Sequence, residues 1–353
     1  MTPSLKKCSF WICAALIAFF AVGGAFIGFR SSRSNQLEQA REDAVRGAWY
    51  KASKQYRSFL DEFPEDHGVR LEFGELLKPM NSEAALKELF KIPPSTPEYP
   101  EAIRHIAYIA VVGQQDDLAE NALRKLDQIC PDDAGVALSL AELCYRSKRY
   151  AESLPRVEQA ARLQPDRAQT WLLLAEVLDH LKRPGDMLQP LRKAIQLDSD
   201  LYPAHANLAY ALRFSGLLEE AEAEAGWCLA RQPEDILVRR WLAMILRDRG
   251  QYDDAMKEIR LAIARSPTDV DCRIVEAELL LFRGDAEEAY NVLMPLYRVH
   301  SNRRDFLSCL ASAAATSGRR EESRRYRQEI AHIIEELAAQ KDPSLLVPED
   351  SPN

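Results

Sequence analysis

Six histidines, seven cysteines and 54 carboxylates would be enough to build a metal centre or an acid–base pair, so their spacing decides what they can do. His67, His105, His180, His205, His300 and His332 form no His-Glu-x-x-His pair, the arrangement that sets two imidazoles on one helix face around zinc. The cysteines (Cys8, Cys13, Cys130, Cys144, Cys228, Cys272 and Cys309) contain no Cys-x-x-Cys spacing and read as small buried hydrophobes. A phosphate-cradling glycine loop, a nucleophile elbow and a dinucleotide fingerprint are all missing from the sequence. Acidic runs such as Glu219, Glu220 and Glu222 have the look of solvated helix faces. The reading is of a protein that is not an enzyme and uses no cofactor and no metal. A net charge of −8 lacks the basic field of a nucleic-acid binder.

The elements that carry these side chains follow from composition and periodicity. With 47% hydrophobic and 28% charged residues the chain is too apolar for general disorder, and its 14 glycines among abundant Ala, Leu, Glu and Arg favour helix. One set of positions recurs at Pro64, Pro97, Pro131, Pro165, Ser199, Pro233, Pro267 and Ser301, separated by 33 and then by 34 residues. A column of small residues keeps the same phase: Ala40, Gly74, Ala107, Ala141, Ala175, Ala209, Ala243, Ala277 and Ala311. A second runs through Ala52, Ala85, Ala119, Ser153, Met187, Ala221, Ala255, Ala289 and Ser323. Between them Gly216, Gly250, Gly284 and Gly318 share one column, suited to the left-handed residue that ends a helix. Each unit therefore reads as helix, tight turn, antiparallel helix and short turn. The small columns mark helix crossings, and stacking successive units buries the apolar stripe that one pair leaves exposed.

These units resemble the tetratricopeptide repeat family. Residues 168–201 contain Trp171, Leu174, Ala175 and Ala194; residues 202–235 contain Leu208, Ala209, Gly216, Ala221, Cys228 and Pro233. Residues 236–269 add Leu242, Ala243, Gly250, Tyr252, Ala255, Ala262 and Pro267. The likeness extends over about residues 33–337, roughly nine units. Glu276 and Gln39 depart from it at apolar positions, and residues 67–99 carry a one-residue deletion and the segment KIPPSTPEYP. The resemblance implies an all-α, right-handed solenoid of about nine helix-turn-helix units, occupying 30–337 and closed by a polar C-terminal capping helix. Residues 338–353 are expected to be a disordered tail.

In such solenoids the first helices line a concave groove. Carrying the phase onto this chain places Tyr145, Arg146, Glu176, Asp179, His180, Tyr210, Arg213, Phe214, Arg240, Met244, Arg247, Glu278, Leu281 and Phe282 on that side. Aromatic rings cover apolar side chains and guanidinium forks take carboxylates, which suits a protein or extended-peptide partner. The family's clamp for a terminal carboxylate is not reproduced. Asn207 falls at one of its positions, but the matching places hold Leu172, Glu176, Leu237 and Trp241.

Phe10 to Phe29 is uncharged, flanked by Lys6, Lys7, Arg30 and Arg33, and long enough as a helix to cross a hydrocarbon core of about 30 Å. The expectation is a basic tail at 1–9 and a transmembrane signal anchor at 10–29, with the repeats on the extracytoplasmic (periplasmic) side. A cleaved leader is the competing reading. The sequence thus points to a membrane-anchored, non-catalytic scaffold that binds proteins through its groove. The alternatives are a regulatory adaptor of bacterial envelope or secretion machinery, and an accessory subunit of a membrane enzyme complex.

Overall fold

The computed structural model describes residues 35–341, and these contain helices and turns with no β-strand among them. They divide into two units, the first ending at Arg149 and the second beginning at Tyr150. In the first unit, residues 35–45 (α1) precede α2 (Trp49–Glu62), α3 (His67–Leu77), α4 (Ser82–Leu89), α5 (Tyr99–Val112), α6 (Asp116–Ile129) and α7 (Ala134–Arg146). The second unit holds α8 (Tyr150–Leu163), α9 (Ala168–His180), α10 (Leu188–Leu197), α11 (Tyr202–Phe214) and α12 (Leu218–Arg231). It continues through α13 (Ile236–Asp248), α14 (Tyr252–Arg265), α15 (Val270–Arg283), α16 (Ala286–Leu293), α17 (Tyr297–His300), α18 (Arg304–Thr316) and α19 (Arg320–Lys341).

The small columns are the crossings. Ala175, Ala209, Ala221, Ala243, Ala255, Ala277 and Ala289 are fully buried, and in the first unit so are Ala52, Ala85 and Ala119. Gly74 shows how tight one crossing is: a Cβ built there would stand 2.6 Å from Cδ2 of Leu89, well inside contact distance. Larger residues fill the space on either side. Phe59, Phe73, Leu89, Ile106 and Leu126 close the core of the first unit; Ile259, Leu280, Leu293, Phe306, Leu310 and Tyr326 do so in the second. Each such burial contributes about 1.5–3 kcal/mol. Glu276, out of place in an apolar column, is buried but neutralised by Arg273 at 2.8 Å.

Helix ends follow the same period. Gly216, Gly250, Gly284 and Gly318 have φ of 74°, 78°, 87° and 86°, as their column requires. Gln114, Lys148 and Lys182, each 34 residues apart along that column, adopt the same left-handed conformation without being glycine. At the other end Asp66, Asp133, Asp235 and Asp269 accept backbone N–H bonds from the first turns of α3, α7, α13 and α15. Each stands two residues after a column proline, Pro64, Pro131, Pro233 or Pro267. The carbonyl of that column residue is often held in turn by a side chain six positions on. Trp171 Nε1 donates to Pro165 O at 3.0 Å and Arg273 Nε to Pro267 O at 3.1 Å. Where the sequence departs from the pattern, the helices do too. KIPPSTPEYP ends α4 early and leaves 90–98 outside helix, and Pro295 converts Met294–Leu296 to a 3-10 turn because its nitrogen cannot donate.

The expected membrane span, residues 10–29, lies outside the described residues, as do the tail at 1–9 and residues 342–353. Among the described residues no helix is long and apolar enough to cross a membrane. The expectation of a single-pass membrane protein with an extracytoplasmic repeat domain is corrected accordingly, since no described helix supplies the span.

Candidate functional site: the first-helix face

In the second unit the residues singled out by repeat phase lie on the first helices α9, α11, α13 and α15, and several meet. The Tyr210 ring lies 4.7 Å from Phe214 and 5.3 Å from Trp241 on the next first helix. Burial raises the Tyr210 phenol above its ordinary range, and the charge and hydrogen bond of Asp179 on α9 push the same way. His180 stacks on Tyr150 at 4.2 Å. Phe282 lies against Tyr252 at 5.5 Å yet keeps 62% of its surface exposed, and Phe214 keeps 54%. Glu176, Met244 and Leu281 are half-buried on the same helices.

The arginines are engaged within the chain. Arg213 Nε donates to Asp248 at 2.7 Å, Arg247 binds both Asp248, at 3.1 Å, and Glu278, and Arg240 reaches Asp271 at 2.8 Å. Asp271 also takes Arg303 at 2.6 Å. The side chains of Arg213, Arg240 and Arg247 are only 12%, 16% and 13% exposed. They lace α11 to α13 and α13 to α15, so the forks expected to receive a ligand carboxylate already hold carboxylates of the chain. Trp241, Asp248 and Asp271, which complete these contacts, were not among the expected site residues. Their signal was available: Arg213 and Arg247 are 34 apart, and each has an acid 31 to 35 residues downstream, in the following first helix.

Tyr145 and Arg146 end α7 in the first unit, where Arg146 pairs with Asp116 at 3.0 Å. That unit carries open depressions that the sequence reading passed over. Three follow one another along the first helices: about 520 Å³ between α1 and α3, about 430 Å³ between α3 and α5, and about 270 Å³ between α5 and α7. Lys78 and Pro79 wall the first two, and Tyr108 walls the second and third. Tyr108 follows Ala107 as Tyr210 follows Ala209, three periods of 34 apart, which is how the sequence could have found it. Tyr108 is 61% exposed and Val112, one turn on, 66%.

Burial pushes the thiols of Cys228, Cys272 and Cys309 up to about 12, away from thiolate. Among the described residues no group of three or more His, Cys, Asp or Glu side chains could hold a metal ion.

The family model described as "Tetratricopeptide repeat" matches residues 138–202 and 207–270. Over these segments the chain is similar to that family. No curated protein matches the chain. Among solved structures, the type IV pilus biogenesis factor PilW is 21% identical over 61% of this chain and 100% of its own, with a TM-score of 0.50. A tetratricopeptide repeat protein from Parabacteroides merdae is 12% identical over 80% of this chain and 99% of its own, at 0.46. YrrB, described as a tetratricopeptide protein with an unusual peptide-binding site, is 17% identical over 62% and 95%, at 0.40. At such identities the likeness concerns the fold of the repeats alone.

Proposed function

We propose that this chain is a non-catalytic protein-binding scaffold that holds an extended segment of a partner against its first-helix face. The observation that carries the reading is a pair of exposed aromatic side chains at one repeat phase, Phe214 and Phe282, on helices of the second unit whose backbones are fixed by buried small residues. Rings presented on rigid helices bind apolar side chains with little ordering cost. In this reading the arginines Arg213, Arg240 and Arg247 act by setting the spacing of neighbouring first helices, and the rings make the contact. Glu176, His180 and Met244 complete the proposed face in the second unit, and Tyr145 and Arg146 hold the corresponding repeat positions on α7 of the first.

Capture of partners from a native extract, followed by cross-linking and mass spectrometry, tests this. Phe214→Ser and Phe282→Ser together should leave helicity and melting unchanged, because both rings are mostly exposed, and should strip captured partners several-fold. Undiminished capture by the double variant would refute the assignment of this face.

A further inference from the structure

Two of the three depressions of the first unit share a charge centre, Lys78, that is arranged differently from its counterparts. Lys78 stands four residues after Gly74, as Arg213 and Arg247 stand four after Ala209 and Ala243. Those arginines are closed by carboxylates of the next first helix, Asp248 at 2.7 Å and Glu278. Lys78 reaches across to α5 as well, but what it meets there is an imidazole. Its Nζ lies 2.9 Å from Nδ1 of His105 and 5.6 Å from the centre of the Tyr108 ring. The carboxylate paired with it, that of Glu75, is 3.8 Å away on its own helix and largely exposed. Neighbouring cations differ: Arg41 holds Glu72 at 2.6 Å, and Arg104 holds Asp133 at 2.7 Å. Burial and the nearby Lys78 charge both lower the pKa of His105, so the imidazole is a neutral neighbour.

On either side of this cation the walls turn apolar. Ala44 and Leu76 line the depression toward α1, and Val111, Leu123 and Val136 the one toward α7. Packed helices are about 8–10 Å apart and an extended chain advances about 3.3 Å per residue, so successive depressions are about three residues apart along a bound strand. Resting on the scaffold reading above, we propose that the first unit takes an extended partner segment in which an Asp or Glu, seated on Lys78 beside His105 and Tyr108, is flanked at about three residues on each side by apolar side chains. The carboxylate replaces the solvent over Lys78 with a charge-assisted hydrogen bond, and the flanking side chains bury themselves in the neighbouring depressions.

The test uses the full chain and a phage-displayed random nonapeptide library, with synthetic copies of the selected peptides titrated by fluorescence anisotropy. The expected result is enrichment of an acidic residue with apolar residues three before and three after it. Affinity should fall about tenfold in Lys78→Gln, the worth of one hydrogen bond to a charged group. Lys78→Arg should restore most of it, and Tyr108→Ser should weaken binding in a variant whose melting is unchanged. Peptides that lack an acid, or that ignore Lys78→Gln while losing affinity in Tyr108→Ser, overturn the acidic anchor and leave the scaffold reading standing. Peptides indifferent to both substitutions, or no selected peptides at all, overturn the inference and count against the groove itself.

Discussion

The hydroxyl of Ser323 donates to the carbonyl oxygen of Ala311 at 2.8 Å, joining the two small-residue columns directly across one helix pair. Ser323 and Ala311 are both buried, and so close an approach leaves no room between the backbones for a branched side chain. Ala209→Leu should therefore overpack the equivalent crossing and destabilise the protein by about 1–3 kcal/mol, seen as an earlier urea midpoint. Gly74→Ala should behave alike, since its new methyl meets Leu89. Unaltered midpoints in both would mean that the columns are spectators.

Lys182 is held at φ 61° in the column that elsewhere carries glycine. A side chain in that conformation costs about 1–2 kcal/mol, part of which is offset by the greater unfolded-state freedom of glycine. Lys182→Gly should raise stability by about 0.5–1 kcal/mol. A lower melting temperature would show that Lys182 makes contacts worth more than its strain.

Asp248 serves two arginines at once, with side-chain exposures of 12% and 13% against its own 29%. Asp248→Asn should cost about 1–3 kcal/mol, because it takes the charge partner from the mostly buried Arg213 and leaves Arg247 with Glu278 alone. The exposed pair Arg192–Glu220, at 53% and 56%, is the internal control: Glu220→Gln should change stability by no more than about 0.5 kcal/mol. Equal effects in the two variants would contradict this difference in burial.

His105 has a pKa lowered from 6.5, first by burial and then by Lys78. A depressed folded pKa means that the unfolded chain binds the proton more readily. The contribution of His105 is thus fully present above about pH 6.5 and lost as pH falls below it. Unfolding free energy should decline from pH 7 to pH 5, and His105→Gln should flatten that part of the profile. A profile unaltered by the substitution would remove His105 as its cause.

Cys228, Cys272 and Cys309, with thiols pushed up to about 12, should resist iodoacetamide at pH 8, whereas the half-buried Cys130 should be alkylated. Peptide mapping after brief labelling reads this out. Rapid modification of the three buried thiols in folded protein would indicate a looser core than the one described.

Much of the fold was legible because the 34-residue period repeats the same packing problem, and each repeat answers it with the same residue types. Ala209 and Ala221 announce a close crossing, Gly216 a left-handed turn, and Pro233 with Asp235 the start of the next pair. The sequence also placed Tyr210, Arg213 and Arg247 on first helices. It did not say that these arginines would be consumed by Asp248 and Glu278, because partners 31 and 35 residues away meet only when successive repeats stack. For the same reason it passed over Lys78 and Tyr108. One imidazole at position 105 decides that this cation meets a ring on the next first helix, where Arg213 and Arg247 meet carboxylates. Local periodicity determined which side chains share a face. Only the packing of one repeat on the next decided which of them are already paired and which remain for a partner.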